Sequence, residues 1–218
     1  MTILIGSQFK DGVLFTADTK TSGLNNDGSH TGDYTESIKI SQMKSNMIIA
    51  TAGLSLASMT AKILRTTLLT ENNLNNIETL DFCKETFQYT FNNFKRINPY
   101  ITYTDGLGML GGFDKDLGQS FIYLLSSING FEPIKSNRQL EIFAPSEDIE
   151  LQLRENITLK LPQVRTPIDL VPIFSESIRK INHESVGQET FSCLFYFDHH
   201  EKEFKIGKYS YDKDGKLK

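Results

Sequence analysis

The residues from which chemistry could be built are Thr2, Asp18, Lys39 and Gly53. The chain opens Met1-Thr2-Ile3-Leu4-Ile5-Gly6, and Met before Thr is a pair that methionine removal normally processes. Removal leaves Thr2 with a free α-amine beside its own hydroxyl. An α-amine titrates near neutrality, at about 7.7–8.0, so one residue would hold both a nucleophile and its base. The other three each have an ordinary reading as well. Asp18 ends an apolar run before Thr-Lys-Thr-Ser, a place where Asp often only forms a turn. Lys39 alternates with isoleucines in Ser-Ile-Lys-Ile-Ser, which suits the solvent side of a half-buried strand. Gly53 ends one apolar run and opens a helical one, a junction where backbone N–H groups are free to donate.

These residues must be held by the elements around them. Residues 3–8 and 12–17 are short apolar runs joined by Lys10-Asp11-Gly12, which predicts a hairpin. Residues 23–37 carry no periodicity and much turn chemistry, and read as a long exposed loop. Residues 38–41 and 46–52 read as a second strand pair. The period then becomes helical: Leu56, Met59, Ile63, Leu64 and Leu68 define one amphipathic helix over 54–70. An Asn-rich turn at 72–76 precedes a second helix over 77–97, with Leu80, Cys83, Phe87, Phe91 and Phe94 on its apolar side and Pro99 beyond its end. Strands follow at 107–113, 120–126, 131–135 and 139–144.

A helix near 147–155 has Ser146 as its N-cap, with Glu147 and Asp148 favourable in the first turn. Thr166-Pro167 starts a further helix with Pro in the first helical position and Leu170, Ile173, Phe174, Ile178 and Ile181 facing inward. Strands at 190–197 and 203–210 end the chain. Helices segregated from hairpin-joined strands predict an α+β fold, antiparallel sheets covered by helices. No linker or repeat divides it, so residues 1–218 read as one domain.

The N-terminal quarter resembles the catalytic β-type subunits of the proteasome superfamily, and among them the bacterial HslV and Anbu groups. Thr2 to Ala17-Asp18 is similar to that family's first hairpin. Asp18-Thr-Lys-Thr-Ser22 is similar to its Asp-x-Arg/Lys-x-Thr segment. Ser-Ile-Lys39-Ile-Ser and Ile-Ala-Thr-Ala-Gly53 are similar to its Lys-Lys-Ile/Leu and Ala-Gly segments. The resemblance implies a four-layer αββα sandwich, two antiparallel sheets between helix layers. It also implies a threonine-type peptidase in which Thr2 Oγ attacks a peptide carbonyl and the Thr2 amine takes and returns the proton. Lys39 would favour the alkoxide-like state, Asp18 would hold Lys39 charged, and the Gly53 N–H would donate to the oxyanion.

Ser146 aligns loosely with a serine that the family places near the nucleophile. Asn182-His-Glu-Ser185-Val-Gly187 lies where the family carries Asp-x-x-Ser-Gly-Gly, so Ser185 fits while Asn182 replaces an Asp and cannot supply its charge. Ser22 and Gly53 would pair with an extended peptide substrate by β-augmentation. Thr21, Thr51 and Ser55, small and neutral, would line the first specificity pocket. Self-assembly into rings or a helical array is implied too, with an unfolding ATPase as the candidate partner.

Bulk properties narrow the alternatives. Formal net charge is −4 over 218 residues with both signs mixed, which argues against nucleic acid or anionic membrane as partner. No apolar run approaches the ~20 residues of a membrane span, and no charged n-region precedes an h-region, so the reading is soluble and cytoplasmic. Cys83 and Cys193 sit in apolar runs and suggest no disulfide framework. Gly106-Leu-Gly108-Met-Leu-Gly111 satisfies a dinucleotide-binding pattern but leads into Gly112-Phe-Asp and no helix. His199-His200-Glu201 has no second ligand cluster and reads as a polar hairpin turn; no metal or cofactor is expected. Two other classes remain: an amidohydrolase of the same fold acting on a small amide, and a catalytically silent structural subunit. The silent subunits usually lack the Thr and the Lys that this chain has.

Overall fold

A computed structural model describes residues 2–25, 30–70 and 73–218. The strands and helices run β1 (Leu4–Phe9), β2 (Gly12–Asp18), β3 (Lys20–Leu24), β4 (His30–Glu36), β5 (Ile40–Lys44), β6 (Met47–Gly53), α1 (Ser55–Thr70) and α2 (Asn76–Ile97). They continue as β7 (Gly106–Asp114), β8 (Gln119–Ser126), β9 (Ile134–Lys135), β10 (Leu140–Phe143), α3 (Glu147–Thr158), α4 (Leu170–Arg179), β11 (Thr190–Asp198) and β12 (Glu203–Tyr211). Two five-stranded antiparallel sheets, ordered β10-β1-β2-β11-β12 and β5-β6-β7-β8-β9, pack face to face.

Three apolar layers hold them. Val13, Phe15, Ala17, Ile48, Ala50 and Met109 lie between the sheets. Leu64, Leu68, Cys83, Phe87 and Phe91 seat α1 and α2 on the second sheet. Leu153, Ile157, Phe174 and Ile178 seat α3 and α4 on the first. The result is the expected αββα sandwich. Strand β2 is buried along its whole length because both its faces are covered: Phe15 points into the inter-sheet layer and Leu14 toward the α3–α4 layer.

Local chemistry sets the boundaries. Asn75 caps α2 in a reciprocal box with Glu78, and Ser146 caps α3 by accepting from the Ile149 amide. Pro167 begins a single 3₁₀ turn that runs on into α4, so the helix expected at Thr166-Pro167 becomes α-helical only from Leu170. Cys83 and Cys193 are buried, unpaired and in different layers. The Gly106–Gly111 pattern is strand β7. A Cβ at Gly106 would come within 2.3 Å of the Phe91 ring, and one at Gly111 within 2.6 Å of Phe15, so these glycines permit close packing on both faces.

Two expectations change. Much of the stretch expected as loop, 23–37, is hairpin: β3 and β4 form a separate two-stranded sheet with Ser22 opposite Tyr34. Its strands carry polar residues on both faces because neither face meets a core, so alternation never appears in the sequence. Residues 26–29 of that stretch, residues 71–72 before α2 and Met1 lie outside the described residues. In α1, Met59 and Ile63 are 58% and 51% exposed, and the inward side consists of Ala57, Thr60, Ala61, Leu64 and Leu68. Small side chains let α1 lie close on β5 and β6, which apolar spacing alone does not reveal.

Candidate active site

Thr2 lies two residues before the start of β1 and is 5% exposed. The antiparallel β1–β2 pairing brings the end of β2 back beside it, with Leu4 opposite Ala17, so Asp18 lies next to the start of the chain. Asp18 is 1% exposed and accepts from four donors. Its Oδ1 takes the Ile3 amide at 2.9 Å and Lys39 Nζ at 3.2 Å. Its Oδ2 takes the amides of Lys20 at 3.2 Å and Gly187 at 3.0 Å. Asp18 is thus far more than a turn former.

Lys39 enters from the segment before β5 and is 7% exposed, while its neighbour Ile38 is 56% exposed. The simple alternation, isoleucines in and lysine out, is therefore wrong at Ile38: the pair straddles a non-strand stretch where the period of two does not yet apply. Nζ donates to Thr2 Oγ1 at 2.7 Å, to Asp18 Oδ1 and to the Lys20 carbonyl. An ammonium has three protons, and three acceptors surround it. Burial pulls the Lys39 ammonium below the usual lysine range and the Asp18 charge opposes that pull. Burial likewise raises the Asp18 carboxyl, against the pull of Lys39 and the amides of Gly187 and Ile3.

Thr2 and Lys39 border a cavity of about 630 Å³. Of the residues singled out from sequence, Thr2, Lys39, Gly53, Thr21, Ser22, Thr51 and Ser55 line it. Thr21 Oγ1 is tied to Ser37 Oγ at 2.7 Å, and the Thr51 amide donates to the Lys39 carbonyl at 3.0 Å, so two walls are fastened to the same segment. Asp18 lies behind Lys39, as its burial requires. Ser185 is buried nearby in sequence to Gly187 but does not line the cavity; its hydroxyl pairs with His183. Ser146 does not line it either and is exposed, its hydroxyl serving as the α3 N-cap.

Gly53 closes β6 with φ +88°, and a Cβ there would sit 2.4 Å from the Asp105 carbonyl oxygen. Only glycine fits both conditions. Gly53→Ala is expected to lower stability by roughly 1–2 kcal/mol or more, since the left-handed conformation alone costs an L residue about that much. Chemical denaturation of the purified variant measures this; an unchanged midpoint would show that the backbone here relaxes freely.

Several residues contribute to the site in ways the sequence did not show. Lys20 contributes backbone atoms, its amide to Asp18 and its carbonyl to Lys39, while its ammonium lies 5.0 Å over the Tyr34 ring. Phe94, Ile101 and Tyr103 bring an apolar wall to the cavity from the end of α2 and the segment after it. Phe94 was expected on the core-facing side of α2, and the periodicity that places it there is blind to a cavity at the edge of the core.

No protein-family model and no curated protein sequence matches the chain. Solved structures do. Anbu (ancestral beta-subunit) from Yersinia bercovieri superposes with a TM-score of 0.68 over 94% of this chain and 86% of that one, at 15% sequence identity. The fold is proteasome-like. At that identity the likeness concerns the backbone architecture, and the roles of individual side chains rest on the geometry above. In this chain Thr2 before β1, Asp18 at the end of β2 and Lys39 before β5 are joined by hydrogen bonds, and Gly53 at the end of β6 lines the same cavity as Thr2 and Lys39.

Proposed function

We propose that this chain is an N-terminal threonine hydrolase that cuts peptide bonds in extended or unfolded polypeptides. The observation that carries the reading is the buried Lys39 ammonium, shared between Thr2 Oγ1 and Asp18 at the wall of an open cavity. With Met1 removed, the Thr2 amine accepts the hydroxyl proton as Oγ bonds to the substrate carbonyl carbon. Lys39 stabilises the nascent alkoxide. Gly53 N–H donates to the oxyanion, where one such donor is worth about 2.7–4 kcal/mol. The peptide C–N bond then breaks, the amine proton passes to the leaving nitrogen, and water hydrolyses the acyl ester by the reverse sequence.

Ser22 and Gly53 flank the cavity from the β3 and β6 sides and are the backbone positions that receive an extended substrate strand. Thr21, Thr51 and Ser55 make a neutral pocket beside them, and the cavity's apolar wall of Phe94, Ile101 and Tyr103 favours neutral, apolar substrate side chains. Ser185 supports the site from outside the cavity, in the turn whose Gly187 amide donates to Asp18, while Ser146 serves only as the α3 N-cap. The protein works in the cytoplasm as a homo-oligomer, ring or helical, that encloses its sites, with an ATPase supplying unfolded chain. Met59 and Ile63 on α1 and Ile77, Tyr89 and Ile97 on α2 are exposed apolar residues suited to contacts between copies. No described helix is long and apolar enough to cross a membrane.

The test is intact mass and N-terminal sequencing before and after treatment with a peptide epoxyketone, which needs a hydroxyl and a free α-amine on one residue. A chain that starts at Thr2 and carries the adduct there supports the reading. A chain that keeps Met1, or takes no adduct, moves the assignment to a silent subunit of the same fold.

A pH dependence follows from Lys39. Deprotonation removes the cation and one donor to Thr2 Oγ1, and burial lowers the pH at which this happens. Labelling is expected to fall on the alkaline side below the ordinary lysine value of 10.5. A labelling rate that stays flat up to that value would show that the Lys39 charge is not used.

A further inference from the structure

Asn182 stands where the resemblance expects a carboxylate, and it is exposed. The hydrogen bonds of its segment converge instead on the next residue. The Ser185 amide donates to His183 Nδ1 at 3.2 Å, and Ser185 Oγ lies 2.8 Å from the same nitrogen. A ring nitrogen accepts an N–H only while it carries no proton. In the tautomer with the ring proton on Nε2, Nδ1 accepts from the Ser185 amide and shares its lone pair with the Ser185 hydroxyl. The Val186 amide closes onto the His183 carbonyl at 3.0 Å. One residue thus gathers three donors from the turn that follows it.

That turn reaches the reacting groups. The Gly187 amide donates to Asp18 Oδ2 at 3.0 Å, and the Glu184 carbonyl accepts from Lys20 Nζ. Asp18 holds Lys39, and Lys39 holds Thr2 Oγ1. Gly187 leaves little play: a Cβ there would lie 2.7 Å from Lys20 Cβ.

We propose that His183 is a positioning residue, whose Nδ1 acceptor fixes the 183–187 turn so that Gly187 keeps its amide on Asp18. The inference rests on the threonine-hydrolase reading only for its rate readout.

Two variants test it in the full-length protein. His183→Leu removes the acceptor and keeps bulk. His183→Asn puts an amide oxygen at the same branch position. Two quantities are measured: the second-order rate of epoxyketone labelling at Thr2, and hydrogen exchange of the peptide covering 183–188. His183→Leu is expected to slow labelling about ten- to a hundredfold, the scale of a displacement near 1 Å at a reacting centre. It also speeds amide exchange in that peptide. His183→Asn restores both, to within about threefold, the scale of one net hydrogen bond. His183→Leu behaving like the wild type, or His183→Asn behaving like His183→Leu, overturns the proposal. If wild-type Thr2 takes no label, the catalytic reading fails and exchange alone decides. Fast exchange in the Leu variant that Asn repairs then supports the positioning role, and unchanged exchange overturns it.

Discussion

Thr2→Ala is expected to reduce peptide hydrolysis and epoxyketone labelling to background, a loss of at least about 10³-fold, while the protein still folds. The size follows from the role. Removing the group that bonds to substrate deletes the covalent route, and what survives is only binding and oxyanion stabilisation. The stability cost is small by comparison. Thr2 Oγ1 is one of three acceptors around Lys39 Nζ, and the Asp18 carboxylate and the Lys20 carbonyl remain. Thr2→Ser keeps hydroxyl and amine and is expected to keep measurable labelling. A Thr2→Ala variant that hydrolyses peptides at the wild-type rate would remove Thr2 from the mechanism and leave only the fold.

Asp18→Asn strikes activity and stability together. Asp18 and Lys39 form a buried ion pair, with side chains 0% and 5% exposed. Leaving one member of such a pair uncompensated costs about 3–5 kcal/mol. The loss goes further here, because four donors meet one carboxylate and an amide presents an acceptor at only one of its two ends. Lys39 also loses the charge that opposes its burial, so its pKa drops further and the alkaline fall in labelling moves to lower pH. Denaturant unfolding and a labelling–pH profile measure the two effects. A variant with normal stability and an unmoved alkaline limb would show that Asp18 does not hold Lys39 in its charged form.

Most of the sandwich was legible in the sequence because its elements obey local rules. The two periods, two for strands and near 3.6 for helices, located nearly every described element to within a few residues. Ser146 bounded its helix by chemistry confined to one turn. The β3–β4 hairpin escaped because a strand with no buried face has no period to show. Met59 and Ile63 were placed inward because apolar spacing cannot distinguish a core-facing stripe from a second, exposed one.

The candidate site divides in the same way. Alone, each of Thr2, Asp18, Lys39 and Gly53 also has an ordinary structural reading; they could be marked because the segments that carry them resemble a known family's motif. Their directions could not. That Lys39 turns inward while Ile38 turns out, that Gly187 gives its amide to Asp18 across the fold, and that His183 and not Asn182 holds Ser185 are through-space facts. So is the position of Ser146, capping a helix away from the cavity. The sequence by itself determined the α+β elements, because backbone period is local, and its resemblance to a known family supplied the layered arrangement and the nucleophile's candidate. Only the tertiary structure decided which groups share protons, because hydrogen bonds and burial depend on what distant segments bring within about 3 Å.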